Sequence, residues 1–480
     1  MKVGHPKNLT VMASAGQGDG SGERGLDIIA HEGLIGRLIF THCGLLPGIS
    51  KLITENKLLA YCFPQGVLAQ LYRDIAANRP GLLTHVGLHT YVDPRYEGAK
   101  ANEFTLKNGE DLVDVMNVNL KDYLFYKSVP VNVAFIRATT ADEKGNLSTE
   151  REGMSLEILS MAQAAKSHGG IVVAQVERLA KANSVPVRLV KVPHILVDYV
   201  VVADPENHWQ TFAERYNPAV SGEITIPFES IERKPLDSRK IIGRRGLLEI
   251  RPSDTVNLGI GMPEAVSFAA AEERVSTLFT LTVESGIIGG VPLGGASFGV
   301  GVNYDAMIDH STIFDFYDGK GLDIAFLGFA QVGEDGSVNV SKFGGRFVGC
   351  GGFINITQNS KSVIFCGTLT ASNLDERVEN GELKILKEGK TRKFVKKVDQ
   401  ITFNGEYEGS LGKRVVYVTE RCVFELKGKG ILLTEIAPGV DLDRDILAQM
   451  DFKPLIEKEL KTMDRRIFKN EPMGLKGSLE

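Results

Sequence analysis

Two related α/β domains with parallel sheets are predicted for this chain on three observations. Short apolar, β-branched runs alternate with helix-length stretches, such as residues 155–166 and 263–273, as in strand–helix–strand units. A pattern also recurs with the same internal gap: Val133-Ala134-Phe135-Ile136 precedes Gly145-Asn146-Leu147, and Ile324-Ala325-Phe326-Leu327 precedes Gly336-Ser337-Val338. Finally, 480 residues at 43% apolar content exceed what one hydrophobic core accommodates. The predicted domains are residues 1–230 and 238–480. They are divided by the charged, proline-containing Ser230-Ile231-Glu232-Arg233-Lys234-Pro235-Leu236-Asp237.

Along the chain, Leu9-Thr10-Val11-Met12-Ala13-Ser14-Ala15 is predicted as a strand entering the turn Gly16-Gln17-Gly18-Asp19-Gly20. The lysines ahead of it imitate a signal peptide, but the apolar part is too short for one. Gln65 sits in a Pro-Gln-Gly turn before a helix. In the second half, Thr255-Val256-Asn257-Leu258 reads as a strand, Gly259-Ile260-Gly261 as a turn, and Pro263 as the first turn of a helix whose N-terminal amides lack partners. Leu278-Phe279-Thr280-Leu281-Thr282-Val283 reads as a buried strand that ends at Glu284 and breaks into Gly286, Gly289, Gly290, Gly294 and Gly295. Gly349-Cys350-Gly351-Gly352-Phe353 is a third glycine turn. From Asp451 onward charges alternate with apolar residues, and a helix packed on the second domain is expected.

Glu284 is the residue this pattern singles out as a nucleophile. A carboxylate attacking a thioester must shed water and reach a carbonyl carbon, while the developing oxyanion needs backbone N–H donors. Glycine permits close approach and positive φ, so it serves both needs. The same residue also fits a helix-capping or salt-bridging acid, and tight strand-to-helix turns demand glycine without any catalysis. Glu420 and Glu435 lie in less glycine-rich settings and read as structural. Cys350 reads as a small apolar filler rather than a reactive thiol.

Other chemistries lack their motifs. Gly389-Lys390-Thr391 ends like a phosphate loop, but Lys384 stands where the earlier glycine belongs. Gly259-Ile260-Gly261 lacks the third glycine of a dinucleotide fingerprint, since the position holds Glu264. His31, His42, His85 and His89 form no ligand spacing, so no metal is expected, and no Gly-x-Ser-x-Gly elbow stands out. A net charge of −5 without a basic, aromatic-interleaved block argues against nucleic acid. Five cysteines without CxxC suit reduced thiols in a cytoplasm. No run of 18 apolar residues suggests a membrane span.

Four segments, in order and spacing, resemble the β-half signatures of class I coenzyme A transferases: Val256-Asn257-Leu258-Gly259-Ile260-Gly261-Met262-Pro263, Val283-Glu284-Ser285-Gly286, Gly349-Cys350-Gly351-Gly352-Phe353-Ile354-Asn355-Ile356, and Glu435-Ile436-Ala437-Pro438-Gly439-Val440-Asp441. Gly289-Gly290-Val291-Pro292-Leu293-Gly294-Gly295 and Phe314-Asp315-Phe316-Tyr317-Asp318-Gly319 are similar to the single-chain propionate and acetate group. Tyr61-Cys62-Phe63-Pro64-Gln65-Gly66-Val67-Leu68 and Gly81-Leu82-Leu83-Thr84-His85-Val86-Gly87-Leu88-His89-Thr90 are similar to the α-half. In that family Met1-Lys2-Val3-Gly4-His5-Pro6-Lys7-Asn8 corresponds to mid-domain, so the α-type domain is expected without its first βα unit.

The resemblance implies a pseudo-dimer of NagB-like α/β domains. It implies reversible, ping-pong CoA transfer from a short-chain acyl-CoA to an acetate-, propionate- or lactate-type carboxylate through a glutamyl-CoA thioester on Glu284. Ile260, Gly261, Gly351 and Gly352 would supply oxyanion and CoA contacts, with Gln65 on the substrate side. Coenzyme A would be a substrate, its phosphates met by local Lys or Arg, and no cofactor or metal would be permanently bound. A cytoplasmic homo-oligomer away from membranes is expected. An acyl-CoA hydrolase using the same glutamate and a non-catalytic CoA-binding remnant are the other functions considered.

Overall fold

Apolar runs form the strands of this chain, some alternating in exposure and others buried almost throughout. In the computed structural model, which describes residues 5–227 and 234–476, the odd positions of Val133–Asp142 begin exposed and the even ones buried, the period-two signature of a strand. The chain separates into two units. The first comprises Met1–Leu88, Val92–Ile226 and Val283–Phe316, and the second His89–Tyr91, Pro227–Thr282 and Tyr317–Glu480.

These units differ from the expected domains 1–230 and 238–480. Ser230, Ile231, Glu232 and Arg233 lie outside the described residues, and the segment carrying Glu284 groups with the first unit rather than with the C-terminal one. Packing explains this. Asn303 Nδ2 donates to the Ile226 carbonyl at 2.7 Å, Tyr304 OH donates to the Val220 carbonyl at 3.1 Å, and Arg73 chelates Asp315 at 2.6 and 2.7 Å.

In the first unit, β1 (Leu9–Ala13), β2 (Ile35–Phe40) and β3 (Leu59–Cys62) form a parallel sheet in that order. Helix α1 (Gln65–Ala76) leaves the end of β3. A second sheet contains β4 (Val133–Asp142), β5 (Leu147–Ser148), β6 (Ile171–Ala180) and β7 (Tyr199–Val202) in the order β7-β6-β4-β5, and only β5 is antiparallel. Its inner face, Ala134, Ile136, Val172, Ala174 and Val176, packs with Ile158, Ala162 and Ala165 of α2 (Ile158–Ser167). The opposite face leaves Val133, Phe135, Ile171, Tyr199 and Val201 exposed, although parallel sheets are usually covered on both sides.

In the second unit, α3 (Ser238–Leu247) starts at Asp237, whose side chain accepts the Lys240 N–H at 3.0 Å, an N-cap of the usual chemistry. Strands β8 (Thr255–Leu258), β9 (Thr280–Val283), β10 (Ile324–Gly328), β11 (Ser362–Cys366), β12 (Arg414–Val418), β13 (Cys422–Lys427), β14 (Gly430–Ile436) and β15 (Leu455–Thr462) follow one another in the chain. They lie in the order β9-β8-β10-β11-β12-β13-β14-β15, and the first five are mutually parallel. Helices α3 and α4 (Ala265–Glu273) cover this sheet through Ile241, Ile242, Val266 and Ala270. Each fully buried isoleucine or valine among them contributes roughly 1.5–3 kcal/mol.

The expected C-terminal helix is instead strand β15, paired in parallel with β14. Its Glu457-Lys458-Glu459 run suits an exposed sheet edge, where charge discourages pairing with other chains. The internal repeat is structural: both matched runs are strands, β4 and β10, and both following glycines have positive φ, +96° at Gly145 and +78° at Gly336. Among the described residues no helix is long and apolar enough to cross a membrane.

Candidate active site

Parallel strands place their following loops at one end of the sheet, where crevices of α/β folds form. The loops after β1, β2 and β3 deliver Ser14, Thr41 and His42, and Gln65 to that end of the first unit. Gln65 is the first residue of α1 and is 7% exposed. The Ser14 carbonyl accepts from Thr41 Oγ1 at 2.9 Å, which ties the first two loops together. His42 is half-buried beside the Gly16 turn, and desolvation of its ring pushes the imidazole down to about 4, so it is neutral at physiological pH.

Glu284 follows β9 directly, in a tight turn. Gly286 makes that turn possible: its φ is +114°, and a Cβ there would lie 1.9 Å from the Ile308 carbonyl oxygen. The Gly286 carbonyl accepts the Ile308 N–H at 2.8 Å, and Ile287–Ile288 pairs antiparallel with Ala306–Met307. This clasp brings the turn of Glu284 beside His310, the first residue of the helix His310–Asp318.

The electrostatics follow from that placement. Glu284 is half-buried as a residue, but its carboxyl is enclosed, and the carboxyl's surroundings set its acidity. Burial pushes it above the ordinary carboxylate range, and the His310 imidazole pulls it partly back. His310 is fully buried, with Nδ1 2.5 Å from Glu157 Oε2 and Nε2 2.9 Å from Gln65 Nε2. Ser14 Oγ donates to the other Glu157 oxygen. Burial alone would raise the Glu157 carboxyl. The adjoining His310, together with hydrogen bonds from His310 and Ser14, holds it below the usual range, as an anion. Glu157 follows Leu156, a non-glycine residue at φ +49° that accepts the His310 N–H through its carbonyl at 3.4 Å. Such strain marks an over-determined position.

The structure thus brings Glu284 and Gln65 into the same unit, linked through His310. The glycine turns belong to the second unit. Ile260 is 49% exposed. Gly261 has φ +88°, and its N–H is occupied by Glu264 Oε1 at 3.0 Å. The amide expected to await an oxyanion is therefore already satisfied by the glutamate that opens the following helical turn. Gly351 has φ +52°, and Gly352 is the N-cap of α5 (Phe353–Asn359) at φ −79°. Cys350 is buried and its sulfur accepts from Tyr91 OH at 3.2 Å. Glu435 is paired with Arg245 at 2.7 and 2.9 Å, and Glu420 with Arg421 at 2.9 Å, so both carboxylates serve ion pairs. All five cysteines are free and buried.

Sequence reasoning missed His310, Glu157 and Ser14. Nothing in the sequence around His310 sets it apart, and its partners lie 153 and 245 residues away.

Comparison with known proteins gives a consistent set of likenesses. The family described as Coenzyme A transferase matches residues 3–203. The chain is 45% identical to the caffeate CoA-transferase of Acetobacterium woodii over 480 residues, covering 99% of this chain and 91% of that protein. It is 44% identical to the acetate CoA-transferase YdiF of Escherichia coli (strain K12), covering 98% of this chain and 87% of that protein. The apoenzyme structure of the YdiF acyl-CoA transferase from Escherichia coli O157:H7 superposes with a TM-score of 0.93 at 43% identity, covering 98% of this chain and 89% of that one. A structure of YdiF as a thioester complex with CoA superposes at 0.92.

Proposed function

Since the chain belongs to the coenzyme A transferase family and is a CoA-transferring enzyme, we propose that Glu284 is its nucleophile and that CoA passes between a short-chain acyl-CoA and a free carboxylate by a ping-pong route. The observation that carries this reading is a carboxyl placed directly at the end of strand β9, in a turn that Gly286 closes against Ile308 beside His310, where burial pushes it above the ordinary range. Desolvation strengthens a carboxylate as a nucleophile once it is ionised, since water no longer shields it.

The steps balance without net proton transfer. An oxygen of the Glu284 carboxylate attacks the thioester carbonyl, the C–S bond breaks, and CoA leaves as the thiolate from a mixed anhydride. The thiolate then attacks the Glu284 carbonyl, giving the glutamyl-CoA thioester and releasing the first carboxylate. A second carboxylate reverses the sequence. The proposed oxyanion donors are the amides of the Ile260-Gly261 and Gly351-Gly352 turns, each contributing about 3 kcal/mol of barrier lowering in acyl transfer. Gly261 must first release Glu264. Gln65 would donate its amide N–H to the bound carboxylate or oxyanion.

The relatives named for acetate and caffeate support a carboxylate acceptor, with an acetate, propionate or lactate class proposed for this chain. The test is intact-mass analysis after incubation with acyl-CoA and no acceptor. An adduct of CoA minus water on the peptide bearing Glu284 is expected, and Glu284→Asp should lose transfer on the order of a hundredfold, because the carboxylate withdraws by about 1 Å. An adduct on Cys350, or none from an active preparation, would sink the proposal. A screen of donors and acceptors with a water-only control separates transfer from hydrolysis.

A further inference from the structure

A glutamine at an acyl-transfer site is useful only if its amide points one way. The –CONH₂ group presents a donor on one side and an acceptor on the other, and a flip exchanges them. Gln65 therefore raises a specific question: what holds its orientation? The answer in this fold is a three-residue chain that ends on a buried charge.

Glu157 is an anion accepting from Ser14 on one oxygen and facing His310 Nδ1 with the other. A carboxylate can only accept, so it draws the imidazole proton to Nδ1. With its proton on Nδ1 the ring presents Nε2 as an acceptor, and the group 2.9 Å from it is the Gln65 amide nitrogen. One N–H of Gln65 is thereby committed to His310, and the amide plane, its second N–H and its carbonyl are set together. The same imidazole lies close enough to Glu284 to act on its carboxyl. The ring is not free to turn: it is fully buried, packs on Phe314 with centroids 5.3 Å apart, and belongs to a residue whose backbone N–H is held by Leu156.

We propose that His310, fixed in its Nδ1–H form by Glu157, is the positioning residue for Gln65, and that it holds the amide in the orientation that donates to the carbonyl under attack. This rests on the reading of Glu284 as nucleophile. His310 itself touches no reacting atom and acts through Gln65.

The experiment compares His310→Gln with His310→Leu. A glutamine at 310 can bring a carbonyl oxygen near the place of Nε2 and accept the Gln65 N–H, whereas leucine fills a similar space without an acceptor. The rate of glutamyl-CoA formation, followed by quenched-flow mass analysis, should fall on the order of a hundredfold in His310→Leu and stay within about tenfold of the parent in His310→Gln. The loss should appear in kcat with the acyl-CoA KM little changed. Equal rates in the two variants, or a leucine variant as fast as the parent, would overturn the proposal. If His310→Leu does not fold, Glu157→Leu serves: it removes the acceptor that holds the proton on Nδ1, so glutamyl-CoA formation should fall as in His310→Leu, and a Glu157→Leu variant as fast as the parent overturns the proposal as well. Absence of any adduct in the parent enzyme would count against Glu284 instead, and the glutamine-versus-leucine contrast in steady-state transfer would still decide the role of His310.

Discussion

Glu284 combines two demands that oppose each other. Its carboxyl must ionise to attack, yet burial favours the protonated form and raises its pKa. The sign of the stability effect follows by linkage. Below the unfolded pKa, near 4.3 for glutamate, both states are protonated and burial exacts nothing; as pH rises toward the raised folded value, the folded state retains a proton that the unfolded state has lost, and stability falls. Glu284→Gln removes that penalty. The variant should therefore melt higher than the parent at pH 8, with the difference shrinking toward pH 4, as read by calorimetry at both pH values. A variant no more stable at pH 8 would mean the carboxyl is better solvated than its position in the fold indicates. The exchange of stability for reactivity is common at catalytic groups. Gly286 shows the same economy in the backbone: its positive φ and its approach to Ile308 allow the turn to close on His310.

Among the elements, the glycine turn before α5 offers the cleanest test of the proposed oxyanion donors. Gly351 has φ +52°, where any side chain strains the backbone, so a substitution there mixes folding with function. Gly352 has φ −79°, an ordinary helical value. Gly352→Val therefore strains no backbone at this buried position, and it should lower transfer by about a hundredfold or more, the worth of one oxyanion contact. Circular dichroism and steady-state rates measure the two effects separately. Unfolding at Gly352 would assign the turn to architecture alone. At Gly261 the Glu264 carboxylate already occupies the N–H at 3.0 Å, so a donor there depends on a rearrangement of the helical turn at residues 262–264.

The stability of the whole molecule carries a second buried acid. Glu376 lies in the cluster of Glu420, Arg421 and Glu388, where burial and the charge of Glu420 push its carboxyl up to about 8. Both of its oxygens are buried. By the same linkage the folded chain should lose stability as pH rises from about 4.3 to about 8. Glu376→Gln should recover at least about 1 kcal/mol at pH 8 and little at pH 4, since one pKa unit is worth about 1.4 kcal/mol. Chemical denaturation at the two pH values checks this, and a flat difference would mean the cluster is rebuilt around the amide.

Sequence alone determined what is encoded locally. Apolar, β-branched runs made β4, β8, β9 and β10 readable, the glycines flagged turns that need positive φ or close approach, and the strand ending at Glu284 stood out because strand, acid and turn are neighbours along the chain. The repeat linking β4 with β10 was readable for the same reason. Tertiary packing decided the rest. Charge alternation after Asp451 fits a helix face and a sheet edge alike, and the free side of β14 selected the edge strand β15. The segment of Glu284 joined the first unit because Asn303, Tyr304 and Asp315 found partners there. His310 and Glu157 drew no notice in the sequence, since their roles come from hydrogen bonds spanning 153 and 245 residues. Local periodicity carries no information about such pairings. They exist only once the β9 turn, α1 and the strained backbone at Leu156 are packed around one buried imidazole.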